Sequence, residues 1–332
     1  MKSFLLGCVL FPLCVCVAVA EEAPDAFQWL EEVESKKSLD WVKSQNKRSL
    51  SVLQKDARYS VFLQEAKAIL NATDRIPYGT LRGGWVYNFW QDAKHVRGIL
   101  RRAKPDAYRS KKTAWQTVLD IDALAKSEKE NWVYKGVRCA APTFQRCLVR
   151  LSKGGKDASV YREYDVEARA FVENGFEVAE AKTAVDWIDQ DTLLIGTDFG
   201  VGTLTESGYP RIVKKWRRGT DISRAETLFE GEPVDMGVWP MVVHRPSGTE
   251  TFIYRAPTFF TSAIIHVDAK GQQTKLPIQP SAQFKGLFKG QLLIGLRESW
   301  TPKGHGTYPA GSLISLPLDK LLANQYQGIH TL

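Results

Sequence analysis

The sequence predicts an all-β chain: a β-propeller of about five blades, preceded by a short α-helical segment. Three observations carry that expectation. Of 25 glycines, 24 lie after residue 75, and the stretch 21–74 has none, so the chain changes character near Arg75. Beyond that point, short apolar or alternating runs recur between Gly, Pro and Asp, as strands of ordinary length do. The runs are also spaced. Strand-ending turns at Asp120, Asp165, Trp216, Asp268 and Asp319 step by 45, 51, 52 and 51 residues, and Trp85, Trp132, Trp187 and Trp239 step by 47, 55 and 52. A repeat near 50 residues with about four strands per unit is the pattern of a propeller. The 258 residues from Arg75 onward hold about five such units. A sandwich of two sheets is the architectural alternative.

The elements follow in order. Residues 1–20 carry one basic residue, Lys2, then an apolar run from Phe4 to Val19, then Ala18-Val19-Ala20. That is the layout of a secretory signal peptide cleaved after Ala20, and it predicts an exported (periplasmic or secreted) protein. No later stretch approaches the eighteen or so apolar residues of a membrane span, so no membrane contact is expected after cleavage. Leu5-Leu6-Gly7-Cys8 resembles a lipoprotein box only faintly. Residues 21–74 read as helix, with Phe27, Leu30 and Val33, then Leu39, Val42, Leu50 and Leu53, then Phe62, Ala66, Ile69 and Leu70 at helical spacing, and Ser60 as an N-cap. Asn71-Ala72-Thr73 has the form of a glycosylation sequon but reads as a helix-ending turn. Residues 75–332 form the propeller, with strands at Trp85–Trp90, Gly98–Arg102, Ala158–Glu163, Thr192–Thr197, Arg211–Trp216, Thr251–Tyr254, Ala263–Val267 and Gln291–Arg297. Two short helices, Ile121–Glu128 and Leu318–Gln325, interrupt them.

Composition excludes some functions. With 44% hydrophobic and 25% charged residues the chain is neither disordered nor collagen-like. Its net charge of +8 is spread along the sequence. The densest clusters, Arg101-Arg102 and Lys214-Lys215-Trp216-Arg217-Arg218, are short enough to be solvated strand edges, so nucleic acid is not an expected partner. Three of the five cysteines leave with the signal. Cys139 and Cys147 remain on two strands flanking a turn, where antiparallel pairing in an oxidising compartment would let them form a disulfide. Cys-x7-Cys has no nearby histidine, and His95, His244, His266, His305 and His330 are scattered, so no metal site is expected.

Motifs for chemistry are missing. No G-x-S-x-G nucleophile elbow is present, and no phosphate-binding glycine loop opens a helix. Gly200-Val201-Gly202 reads as a turn. Carboxylates cluster once, at Asp186, Asp189, Asp191, Asp198 and Glu206. A pair of them facing a central pocket could hydrolyse glycosides; a polar turn entering a strand is the plainer reading.

Several stretches together resemble the N-terminal half of the prolyl oligopeptidase family of serine peptidases. Phe27-Gln28-Trp29-Leu30-Glu31 and Trp41-Val42-Lys43-Ser44-Gln45-Asn46 are similar to its opening helices. Tyr87-Asn88-Phe89-Trp90-Gln91-Asp92, with Arg97-Gly98 and Arg101-Arg102, resembles its first blade. Arg146-Cys147-Leu148-Val149, Arg162-Glu163-Tyr164-Asp165, Gly175-Phe176 and Glu180-Ala181-Lys182 resemble the second. Thr197-Asp198-Phe199-Gly200 and Ser207-Gly208-Tyr209-Pro210-Arg211 resemble the third, and the likeness continues from Trp300 through Tyr308-Pro309-Ala310-Gly311-Ser312-Leu313.

The resemblance implies a seven-bladed propeller capping an α/β-hydrolase domain, with the active site between them and the Ser, Asp and His triad in the hydrolase domain. No catalytic residue can therefore be placed in this chain, and no cofactor is implied. The expectation is a truncated propeller, inactive alone, whose partners are the catalytic domain and the small peptide substrate of the parent enzyme. A stand-alone propeller acting as a binding module is the alternative, and a propeller glycoside hydrolase a weaker one.

Overall fold

From Thr80 onward, short runs that are apolar on both faces alternate with tight turns, and each group of four strands closes into its own sheet. The computed structural model describes residues 25–110 and 112–332. The signal segment, its cleavage after Ala20, and Cys8, Cys14 and Cys16 lie outside the described residues. The chain divides into two units, residues 1–70 and 71–332. Among the described residues, no helix is long and apolar enough to cross a membrane.

In the first unit a 3-10 turn, Gln28–Glu31, leads to helix α1, Lys36–Leu53. Ser35 caps α1, its hydroxyl accepting from the Ser38 amide at 3.1 Å, which satisfies one of the free donors of the first turn. Helix α2 spans Ala57–Asn71. Its cap is not Ser60. The helix starts three residues earlier, where the Asp56 carboxylate accepts from the Arg58 amide at 2.9 Å. The apolar residues read as one face, among them Leu39, Val42, Leu50, Phe62, Ile69 and Leu70, are exposed.

The second unit holds five antiparallel sheets in sequence order, which removes the two-sheet sandwich. Blade 1 comprises β1 Thr80–Arg82, β2 Trp85–Trp90, β3 Ile99–Ala103 and β4 Gln116–Asp120, with a short helix α3, Pro105–Tyr108, before β4 and α4, Ile121–Glu128, after it. Blade 2 comprises β5 Trp132–Cys139, β6 Arg146–Lys153, β7 Ser159–Asp165 and β8 Ala170–Phe171, with β9 Glu177–Ala181 also paired to β7. Blade 3 is β10 Ala184–Asp189, β11 Thr192–Gly196, β12 Ile212–Arg217 and β13 Glu226–Glu230. Blade 4 is β14 Gly237–Arg245, β15 Gly248–Ala256, β16 Ala263–Val267 and β17 Gln273–Lys275. Blade 5 is β18 Gln283–Phe288, β19 Gln291–Gly295, β20 Leu313–Pro317 and β21 His330–Thr331, with α5, Leu318–Leu322, after β20.

The regular marks in the sequence fall at related places, with two exceptions. Asp165, Trp216, Asp268 and Asp319 lie at or just after the third strand of blades 2 to 5, whereas Asp120 ends the fourth strand of blade 1. Trp132, Trp187 and Trp239 lie on first strands, but Trp85 opens a second strand. Blade 1 departs because its first strand is only three residues long and α3 lengthens the connection to its fourth.

Period-two alternation explains the packing. On β6, Cys147, Val149 and Leu151 face blade 1, while Leu148 faces blade 3. On β11, Leu193 and Ile195 join blade 2, while Leu194 joins blade 4. On β15, Ile253 packs toward blade 3 and Phe252 toward blade 5. These strands of blades 2, 3 and 4 are thus packed on both faces, and one apolar cluster seals each junction between consecutive blades. Trp187 is the largest of these buried side chains, edge-on to Phe176 with ring centroids 5.6 Å apart.

Polar links cross the same junctions. The Tyr164 hydroxyl donates to the Val118 carbonyl at 2.6 Å, and Arg102 makes a forked pair with Glu167, both between blades 1 and 2. Within blade 2, Cys139 and Cys147 are directly opposed in the β5–β6 register and joined as a disulfide across the turn. Replacing both by Ser should lower stability by about 2–3 kcal/mol, the loop-closure term for so short a span. Peptide mapping without reductant should recover the linked pair from oxidised protein; recovery of both as free thiols would remove the bond from the account.

Candidate functional site

The first strands of blades 2, 3 and 4 converge, and direct hydrogen bonds hold them together. The Trp187 indole on β10 donates to the Arg138 carbonyl on β5 at 2.9 Å. The Val242 amide on β14 donates to Asp186 Oδ2 on β10 at 2.9 Å, and His244 Nε2 lies 3.0 Å from the Trp187 carbonyl. Asp186 is the knot of this arrangement. Its Oδ1 accepts from its neighbour's amide, at 3.1 Å, and lies 3.7 Å from Arg138 Nε. Burial pushes its carboxyl up from the ordinary value, opposed by Arg138 and by the two backbone donors. Its role is to tie three blades.

Against these strands lies a cavity of about 620 Å³, lined by Lys135, Arg138, Arg150, Lys182, Tyr209 and Trp239 among others. A β-bulge sets one wall. The register of β5 slips between Tyr134 and Gly136, and Gly136 takes φ +121°, a conformation that an L side chain rarely adopts. Lys135 is the extra residue and contributes to the cavity wall. Its Nζ donates to the Gly155 carbonyl at 3.1 Å. Arg150, on β6, donates through Nε to the Ser159 hydroxyl at 3.1 Å and through Nη2 to the Asp157 carbonyl at 3.3 Å. Lys182, just before β10, donates to the Ser207 carbonyl at 3.3 Å and sits 4.3 Å from the centre of the Tyr209 ring. Asp157 is the one carboxylate-bearing residue of the lining.

None of the five clustered carboxylates lines this cavity. Asp189 accepts from the Asp191 amide at 2.8 Å, and Asp198 accepts from the Gly200 amide at 2.9 Å; both shape turns. Asp191 pairs with Arg218 at 2.8 Å, and Glu206 is exposed. The acidic run around Asp186 is therefore structural, and the glycoside-hydrolase expectation loses its paired carboxylates. The basic lining was not anticipated from the sequence, although Lys135 and Lys182 stand 47 residues apart, close to the blade repeat.

Five consecutive antiparallel blades, the middle three of them meeting at this cavity, define a β-propeller domain. The chain belongs to the prolyl oligopeptidase family: residues 17–277 match the description "Prolyl oligopeptidase, N-terminal beta-propeller domain". It is 36% identical over 313 residues to an uncharacterized peptidase of Sinorhizobium fredii, a match covering 92% of this chain and 43% of that protein. An uncharacterized peptidase of Rickettsia prowazekii is 31% identical over 312 residues, covering 90% of this chain and 43% of that one. Among solved structures, a post-proline cleaving enzyme from Rickettsia typhi superposes with a TM-score of 0.85 at 30% identity, over 93% of this chain and 47% of that one. Oligopeptidase B from Leishmania major, at 13% identity over 92% of this chain and 41% of that one, shares the fold with a TM-score of 0.66. The chain thus spans less than half the length of the relatives it matches.

Proposed function

We propose that this chain is the propeller portion of an exported serine-type endopeptidase that cleaves small peptides after proline. In this reading the five blades belong to a ring of seven. They cap an α/β-hydrolase domain that carries the nucleophile, its base and the oxyanion donors. The propeller itself limits access: only a chain thin enough to pass the hub or the domain junction reaches the nucleophile. The observation that carries the reading is the superposition of 93% of this chain on 47% of a post-proline cleaving enzyme. Export is supported by the signal-like segment 1–20.

The chain alone should leave a proline-containing chromogenic peptide intact. Incubating the purified chain with that peptide and following release of the chromophore tests this, with a solved family enzyme as the positive control. Turnover that persists after chromatography and depends on proline before the cleaved bond would place the chemistry in the propeller and overturn the assignment.

A further inference from the structure

We propose that the cavity at the convergence of blades 2, 3 and 4 selects peptides that carry negative charge. The inference rests on the gating role proposed above and adds to it the chemistry of what is admitted. Four cationic side chains, Lys135, Arg138, Arg150 and Lys182, line one cavity together with a single carboxylate-bearing residue, Asp157. The partners of three of them are neutral oxygens: the carbonyls of Gly155, Asp157 and Ser207 and the hydroxyl of Ser159. Among the described residues, no carboxylate oxygen lies within 4.0 Å of Lys135, Arg150 or Lys182. These bonds fix where the cations sit without neutralising them.

Arg138 has one acidic neighbour, Asp186, at 3.7 Å. That carboxylate also accepts from two backbone amides. With the guanidinium side chain 62% exposed, a ligand can still reach it.

The contrast is with three arginines of the same propeller that are matched by carboxylates: Arg102 by Glu167, Arg218 by Glu163 and Arg255 by Asp235. Here positive charge is gathered and left open. A cleft lined by one sign of charge, with low-dielectric walls, concentrates the opposite sign and repels its own. The volume of about 620 Å³ lies within the range of small-ligand pockets. It fits a few residues of an extended peptide whose Asp, Glu or terminal carboxylate meets the cations. Arg138 and Arg150 offer forked donors suited to a carboxylate, while the two lysines act as point charges.

The test uses the full chain and three hexapeptides identical except for Glu, Gln or Lys at three positions, all amidated at the C-terminus. Binding is measured by titration calorimetry at 50 mM and 300 mM salt. The Glu peptide should bind at least 10-fold more tightly than the Gln peptide and weaken with salt, and the Lys peptide should give no heat. The double substitution Lys135→Glu/Lys182→Glu should cost the Glu peptide at least 10-fold, with an unchanged melting profile. If that variant does not fold, Lys135→Gln, on an exposed bulge, should still cost about 3-fold.

Equal binding of the three peptides would overturn charge selection while leaving the gate standing, because gating is read by peptide size and turnover rather than by charge. Absence of binding by every peptide would overturn it too. So would a single-stranded oligonucleotide that binds more tightly than the Glu peptide and loses that binding in the double variant.

Discussion

Replacing Arg218 by Ala should destabilise the propeller by about 3–5 kcal/mol, the range for removing one partner of a buried ion pair. Glu163, on the third strand of blade 2, has a fully buried side chain. Both its oxygens are taken by the Arg218 fork, at 2.8 and 3.0 Å, and Oε2 also accepts from the Phe176 amide at 2.8 Å. Arg218 reaches across from the end of β12, stacks 4.6 Å from the centre of the Phe176 ring and pairs with Asp191. One guanidinium therefore joins two blades over their shared apolar cluster.

Without it, Glu163 is left with its main partner gone and little solvent in its place. Arg146, 3.9 Å away, supplies part of the lost field, which places the cost toward the lower end. Arg218→Lys should lie between the two, because an ammonium cannot serve both oxygens in plane. Removing both charges with Glu163→Leu/Arg218→Met should recover most of the loss. Urea midpoints at constant slope measure all three. A change below about 1 kcal/mol for Arg218→Ala would mean that solvent reaches Glu163 in solution.

Much of the fold was legible because local pattern and packing agree. Trp85–Trp90, Ala263–Val267 and Ile121–Glu128 form as read: the strands are apolar enough to be buried, and the helix is bounded by Asp120 as its cap. Cys139 and Cys147 were legible as a hairpin pair for the same reason. Strand edges were less visible. β15 runs from Gly248 to Ala256, well beyond Thr251–Tyr254, since its ends are held by pairing with β14 rather than by hydrophobic residues of their own. β18 and β20 give weak local signals and are fixed by neighbours in blade 5.

The cavity was the hardest part to see. Its cations come from residues 135 and 138 on β5, 150 on β6 and 182 just before β10, and the packing of neighbouring blades brings them together. Asp186 shows the opposite case: a residue that stands out in sequence among acidic neighbours is taken up by its neighbour's amide and by ties to the two adjoining blades.

The second large effect concerns the size of what is cleaved. If this chain gates a peptidase, it should confer that gate on a catalytic domain placed behind it. A chimera would carry this chain in place of the matching part of the Rickettsia typhi post-proline cleaving enzyme, keeping the remaining sequence of that enzyme. A blade interface is an extended apolar surface, so the join should fall in a connection between blades, where few contacts are cut.

A short proline-containing peptide should be hydrolysed, and the same cleavage site inside a folded protein should be spared by at least about 100-fold in kcat/KM, or about 2.7 kcal/mol in transition-state terms. Catalytic groups alone would discriminate far less, because they contact only the residues around the cleaved bond. The decisive measurement is that ratio of kcat/KM, short peptide against folded protein, for the chimera. A ratio of about 100 or more is the expected result, and equal cleavage of both substrates by a folded, active chimera would contradict the gating role at its root.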